Sequence, residues 1–135
     1  MTDKRFEVRK IEPVFTDDRG SIFKLLEGFE IRDVEYCVSY KDSIRGNHYH
    51  PRHNEAILMI EGLCKMFMKD LETSDPKDLR FGIEEILVGA GNLIVCKANV
   101  VHAQVFLEDS KAVAFSDGKK EWDKYSEHTI RYQLV

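Results

Sequence analysis

Proline and glycine are scarce in this 135-residue chain, at three and eight residues. So thin a supply excludes collagen-like repeats and low-complexity linkers. Long apolar runs are absent as well: no window approaches the roughly 18 consecutive apolar residues of a membrane span. The opening stretch, Met1 to Lys10, lacks the apolar centre of a signal peptide. Cysteine is limited to Cys37, Cys64 and Cys96, each in an apolar stretch and none in Cys-x-x-Cys spacing. An odd count so placed argues against a disulfide framework and for buried thiols in a reducing compartment, so the expected location is cytoplasmic. A basic excess is missing too. The formal net charge is −4, with no block of like charge, which leaves no footprint for nucleic acid. A local cationic pocket for a phosphorylated small molecule is still compatible with that balance.

What the chain does have is alternation with a period of two. Val34–Tyr40, Ala56–Ile60, Leu93–Cys96, Ala103–Phe106 and Ala112–Phe115 are β-rich or apolar, and shorter candidates lie at Phe6–Val8, Ser21–Leu25, Cys64–Met68 and Ile83–Val88. They recur every ten residues or so. Turn signals at Asp18-Arg19-Gly20, Glu61-Gly62, Gly89-Ala90-Gly91-Asn92 and Ser116-Asp117-Gly118 separate them. This spacing predicts an all-β sandwich or barrel in one domain over residues 1–135. The polar stretch Lys69 to Phe81 reads as a long loop, and Asp117 to Glu127 as the place for a short helix around Trp122.

The densest chemistry lies in Arg45-Gly46-Asn47-His48-Tyr49-His50-Pro51-Arg52-His53-Asn54-Glu55. Alternate residues of a strand share a face, so His48 and His50 project together. Glu55 follows after a tight turn, at the start of the next apolar run, and can swing back beside both imidazoles. His102, on a later strand, can add a third imidazole from across the fold. Three imidazoles and a carboxylate suit one divalent ion, zinc first, with manganese, iron, cobalt or nickel also accommodated. His53 falls in the turn between these ligands and reads as solvent-facing or as an outer neighbour; His128 reads as a surface residue.

His48-x-His50, four residues, Glu55, six residues, Gly62 resembles the first motif of the cupin superfamily. Gly91 and His102 stand at the glycine and histidine of its second motif. Lys97, Asn99 and Phe106 replace the usual proline, glycine and asparagine there, and Asp42 stands where a glycine usually precedes the first motif. The resemblance implies a cupin jelly-roll β-barrel with a metal in its mouth, usually as a homodimer. Phe15-Thr16-Asp17-Asp18-Arg19-Gly20-Ser21 and Arg45-Gly46-Asn47-His48-Tyr49-His50 further resemble the nucleotide-sugar cupins. These are deoxythymidine-diphosphate-sugar 3,5-epimerases, 3,4-ketoisomerases, and the C-terminal cupin domain of capsular-polysaccharide enzymes that epimerise and then reduce a UDP-linked amino sugar.

That likeness implies a sugar isomerase or epimerase of polysaccharide biosynthesis, with His48, His50, Glu55 and His102 on the metal. Arg19 and Arg45 would be substrate-binding residues facing a sugar nucleotide's phosphates, Arg19 across a dimer interface. No reductase segment accompanies the motif, so epimerisation or isomerisation is the expected chemistry. In the 3,5-epimerases the histidine at position 48 is instead a free base without metal, and their acid tyrosine has no visible counterpart after His102. Catalytic candidates from the sequence are a metal-bound hydroxide, Tyr36, Tyr40 and His53. The same ligand set also suits an iron-dependent dioxygenase, or a non-catalytic sugar- or metabolite-binding cupin. Phe6 to Arg9 is expected to pair with a second copy across a two-fold axis.

Overall fold

A computed structural model describes residues 5–73, 77 and 82–135 of the chain. In chain order the strands are β1 (Phe6–Lys10), β2 (Pro13–Asp17), β3 (Gly20–Phe23), β4 (Asp33–Ser39), β5 (Ile44–Tyr49), β6 (Glu55–Glu61) and β7 (Leu63–Asp70). They continue with β8 (Ile83–Gly89), β9 (Asn92–Cys96), β10 (Val100–Phe106), β11 (Ser110–Ser116) and β12 (Ile130–Arg131). A 3₁₀ turn (Trp122–Lys124) runs into a single α-helical turn, α1 (Tyr125–His128), where the sequence places a short helix.

The strands form two five-stranded antiparallel sheets, ordered β1-β9-β6-β11-β4 and β12-β5-β10-β7-β8, and the detached hairpin β2-β3. Successive strands from β4 to β11 cross between the two sheets, apart from the β7–β8 hairpin, which is the jelly-roll winding. No ladder among the described residues joins one sheet to the other, so the expected barrel is an open sandwich. Its mouth lies between β4 and β5. There a side chain spans the gap that a ladder would close: Arg45 donates through Nε to Ser39 Oγ (2.7 Å) and through Nη2 to the Val38 carbonyl (2.8 Å).

Alternation decides what enters the sandwich. Cys64, Met66 and Met68 of β7 point inward together with Ile57 and Met59 of β6 and Ile94 and Cys96 of β9, and these form the apolar core. On β10 the inward set is Val100, His102, Gln104 and Phe106, so polar groups share a face with core residues. On β4 it is Glu35, Cys37 and Ser39, while Val34, Tyr36 and Val38 face out. One end of the interior is therefore dry and packed, and the other is polar.

One expectation is corrected. β7 extends to Asp70, so Lys69 and Asp70 leave the loop expected from Lys69 to Phe81. Lys69 can enter the strand because its side chain is buried with the ammonium 5.8 Å from the centre of the Tyr132 ring. Residues 74–76 and 78–81 of that stretch lie outside the described residues. β1 pairs with β9 of its own chain, Phe6 opposite Cys96, and forms the edge of its sheet, with its other side unpaired within the described chain.

The departures from the cupin motifs keep the backbone shape that the motif glycines supply. Asp42 has φ 71° and Asn99 φ 65°, the left-handed region that Asp and Asn tolerate best after glycine. Gly62 allows no such exchange. Its φ is 98°, and a Cβ there would lie 2.6 Å from the Asp109 carbonyl oxygen and 2.7 Å from Ser110 Cα. Gly62→Ala should therefore cost about 2–4 kcal/mol, from backbone strain and from a clash with atoms that cannot step aside. Urea denaturation of the two proteins measures this; an unchanged midpoint would show that the β6–β7 turn relaxes freely.

Candidate functional site

The polar end of the sandwich opens into a cleft of about 770 Å³ bounded by β4, β5, β10 and the segment after β11. His48 on β5 lies opposite His102 on β10 in the strand register. One residue later the pairing shifts, Ala103 facing Gly46, so Asn47 is an extra residue in β5. Gly46 (φ 87°) and Asn47 (φ 55°) carry that bulge. Gly46 is also where the backbones press together, a Cβ there falling 2.6 Å from the His102 carbonyl oxygen. The bulge lets Arg45, an odd number of places from His48, line the same cleft. Asn47 turns away and holds the C-terminus, its Oδ1 accepting from the Leu134 and Val135 amides.

His48, His50 and His102 converge, each offering a nitrogen within 4.8 Å of the others'. Two rings are oriented from behind. His50 Nδ1 faces the His128 carbonyl (3.2 Å) and Thr129 Oγ1 (3.1 Å), and His102 Nδ1 faces the Val100 carbonyl (3.2 Å). A carbonyl only accepts, so each Nδ1 carries the proton and each Nε2 presents a lone pair. His50 Nε2 is buried without a hydrogen-bond partner. His48 Nδ1 lies 3.1 Å from the Tyr125 hydroxyl. Burial, aided by the neighbouring His102, brings the His48 pKa down to about 3, and burial does the same for His50 against the opposing pull of Glu55. Both rings are neutral at pH 7.

Glu55, the first residue of β6, is buried beside them. Its Oε2 lies 3.6 Å from His50 Nε2 and its Oε1 lies 3.7 Å from His102 Nε2. Its strongest partner is a residue that sequence reasoning missed: Lys120 Nζ, 2.7 Å from Glu55 Oε2 and 2.6 Å from Glu35 Oε1. Burial works to raise the Glu55 pKa, but the neighbouring His102, Lys120 and His50 outweigh it, Lys120 also through its hydrogen bond, and the carboxyl titrates below its ordinary range. Lys120 is the mirror case. Burial alone would lower its pKa, and Glu55 and Glu35 reverse that, so it remains an ammonium ion.

The donor set fits a divalent cation. Three inward-facing imidazole nitrogens, two of them with Nδ1 bound to backbone carbonyls, and a carboxylate within reach are what zinc and its neighbours accept. The buried unpartnered His50 Nε2 is the observation that argues for a ligand at this point.

The other candidates divide. Arg45 lines the cleft. Arg19 does not: it sits at the tip of the β2–β3 hairpin, 81% exposed in its side chain and paired with Asp17 at 2.6 Å. Tyr36 reaches only the rim and is 62% exposed, and Tyr40 is 73% exposed, both on the outward parity of β4, so neither is a base within the cleft. His53 is buried rather than solvent-facing, with its ring stacked on His50 at 4.3 Å. Gly118 holds it there, since a Cβ at that turn would lie 2.7 Å from His53 Cβ. His128 is not a bystander, because its carbonyl orients His50 while its ring contacts Thr129 and the Glu121 carbonyl.

Lys120, Trp122 and Tyr125 all come from the segment after β11. No fixed spacing ties them to the histidines; the one sequence signal was a tryptophan and a tyrosine three residues apart in an otherwise polar stretch.

Comparison with known proteins agrees with this architecture. Residues 15–104 match the polysaccharide biosynthesis C-terminal domain family, and the chain belongs to it. No curated protein matches it in sequence. Among solved structures, the rmlC epimerase of Mycobacterium tuberculosis superposes with a TM-score of 0.75 at 15% identity, covering 97% of this chain and 70% of the epimerase. A 3,4-ketoisomerase from Helicobacter canadensis gives a TM-score of 0.71 at 18% identity, over 93% and 90% of the two chains. ChmJ, a 3′-monoepimerase from Streptomyces bikiniensis in complex with dTDP-quinovose, gives 0.75 at 16% identity, over 97% and 71%. These likenesses establish that the chain shares the jelly-roll fold of these proteins.

The depressed histidines make stability pH-dependent. Unfolded, His48 and His50 take up protons as the pH falls below about 6.5; folded, neither does so until about 3. The unfolded chain binds more protons throughout that window, so stability falls as the pH falls. At pH 5 the two rings together should cost on the order of 2–4 kcal/mol. Denaturation of chelator-treated protein should show the midpoint dropping from neutral pH to pH 5, with His50→Gln flattening the decline. A flat wild-type profile would mean that the rings are not desolvated.

Proposed function

We propose that the cleft binds a nucleotide-linked keto-sugar and that the chain isomerises or epimerises it by moving a proton at the carbon beside the carbonyl. The observation that carries this reading is the pairing in one cleft of a proton-bearing hydroxyl, Tyr125, with a buried cation, Lys120, beside the converging histidines. Membership of a polysaccharide-biosynthesis family and the epimerase and ketoisomerase activities printed for the structural neighbours support the substrate class.

Proton removal next to a carbonyl, with a neutral imidazole of the cluster that no cation engages accepting the proton, leaves negative charge on the carbonyl oxygen, and stabilising that charge is the main task of the site. Lys120 supplies an ammonium group in a buried setting, fixed in place by Glu35 and Glu55. Tyr125 carries the proton. Its oxygen lies 3.1 Å from His48 Nδ1, and burial raises its pKa, so the hydroxyl stays protonated and serves as the acid. Arg45, aimed across the mouth by Ser39 and Val38, takes the anionic diphosphate. His48, His50, His102 and Glu55 would hold a divalent cation, zinc first, which would supply Lewis-acid polarisation of the carbonyl. Covering the exposed apolar side chains of the β2–β3 hairpin, Val14, Phe15, Ile22 and Phe23, is the role we assign to a second copy of the chain.

Incubating the protein in D₂O with UDP- and dTDP-linked 4-keto-6-deoxyhexoses tests the reading. Proton NMR should show deuterium entering at a carbon flanking the carbonyl, with Tyr125→Phe slowing that exchange by about 10²- to 10⁴-fold. No exchange with either series would contradict catalysis and leave a binding module; oxygen consumption by iron-loaded protein would point to a dioxygenase.

Two binding measurements accompany it. Elemental analysis of protein purified without chelator should find near-stoichiometric divalent metal, and a variant carrying both His48→Ala and His102→Ala should lose it. Metal retained in that variant would refute the ligand assignment. Arg45→Ala should weaken calorimetric binding of a nucleotide sugar about ten- to a hundredfold, the worth of one charge-assisted contact. Lysine at 45 should restore only part, since it keeps the charge but not the fork. Unchanged affinity in the alanine variant would remove Arg45 from the site.

A further inference from the structure

Trp122 is the single tryptophan of the chain, and it is 68% exposed on the lip of the cleft. An indole left so open forgoes the burial that makes tryptophan worth placing anywhere, unless something covers it. Two contacts hold it in that position. Its Nε1–H donates to Glu35 Oε2 at 2.9 Å. Tyr125 stacks against it with ring centres 5.3 Å apart and planes 23° from parallel. Glu35 in turn grips Lys120, which grips Glu55, so the indole is tethered through two ion pairs to the carboxylate beside the histidines. The one polar atom of the ring is satisfied, and what it offers the cleft is a fixed apolar surface.

Resting on the reading of the cleft as a nucleotide-sugar site, we propose that Trp122 is the stacking platform for the sugar ring of the substrate, and not for its base. Position decides between the two. Trp122 contacts Tyr125, and Tyr125 contacts the His48 ring at 6.4 Å between centres, so the platform is two ring contacts from the histidine cluster. A sugar with its reacting carbon at Tyr125 and Lys120 lies beside that platform. The base is separated from the sugar by a ribose and a diphosphate, and Arg45 draws that diphosphate three residues along β5 from His48. The face of a hexopyranose that carries several C–H groups is apolar and matches an indole in size. Trp122 therefore selects sugars that keep one such face, and deoxy sugars above others.

Because the chain has one tryptophan, its emission reports on this position alone. The experiment is a titration with dTDP and with dTDP-glucose, followed in parallel by tryptophan emission and by calorimetry, which detects binding wherever it occurs. The expected result is that both ligands bind, that dTDP leaves the emission unchanged, and that dTDP-glucose shifts or quenches it. Trp122→Ala should weaken dTDP-glucose by about three- to tenfold while leaving dTDP unaffected, and Trp122→Phe should recover part of the loss. Calorimetric binding of dTDP-glucose with no change in emission, or equal weakening of both ligands by Trp122→Ala, would overturn the platform and leave the proposed function standing. An emission maximum that moves with protein concentration in the absence of ligand would assign the indole to a second copy and overturn it as well. Failure of both ligands to bind would overturn this inference together with the reading it rests on.

Discussion

A carboxylate buried between two β-sheets has to be matched by positive charge, and in this protein that requirement falls on Glu55. An unpaired charge in such a place is too costly to keep ionised. Glu55 is nevertheless held as the anion, because Lys120 reaches in from the segment after β11 to bind it. Bringing in a lysine creates a second requirement, met by Glu35 from β4. The result is a chain of alternating charge running from the cleft mouth to the histidines, with Trp122 attached at its outer end. The C-terminal segment is thus fixed over the cleft by electrostatics, since neither Trp122–Lys124 nor Tyr125–His128 buries a residue of its own.

The same arrangement separates two kinds of cation binding. Lys120 occupies one oxygen of Glu55, leaving Oε1 toward His102 and the three imidazole nitrogens facing one another. His48 and His50 remain neutral through desolvation, which is the condition under which imidazole serves as a ligand. The fold supplies the geometry cheaply: β5 and β10 are neighbours, so His48 and His102 face each other in register, and His50 is turned by the backbone of α1. Much of the jelly roll exists to present these inward positions, and the chemistry depends on what is added to it.

The histidine constellation was legible in the sequence because its spacing encodes strand parity and a tight turn. His48, His50 and Glu55 lie within eight residues, and the glycine at 62 marks a turn that no other residue fits. The bulge at Gly46 was also foreseeable, since Arg45 has the wrong parity to share a face with His48 on a regular strand. Asp42 and Asn99, which depart from the motif in letters, keep it in backbone conformation. What could not be read was contact made at long range. Lys120 is 65 residues from Glu55 and Tyr125 is 77 residues from His48. Both arrive from a polar stretch whose pattern speaks only of solvent. The burial of Lys69 was hidden for a related reason: a long aliphatic stem beneath a charge reads as a loop residue until a tyrosine ring is placed beside it. Tyr36 and Tyr40 drew attention as residue types, and their outward parity removes them.

The measurement that bears most directly on this account is ¹⁵N NMR of the histidine side chains in metal-free protein at neutral pH. The account predicts neutral rings at His48 and His50, with the His50 proton on Nδ1 toward the His128 carbonyl and a bare Nε2 facing Glu55. An imidazolium signal at either residue, or a His50 proton on Nε2, would contradict it: Glu55 would then be neutralised by the imidazoles, and Lys120 would lose the place in the site on which the rest is built.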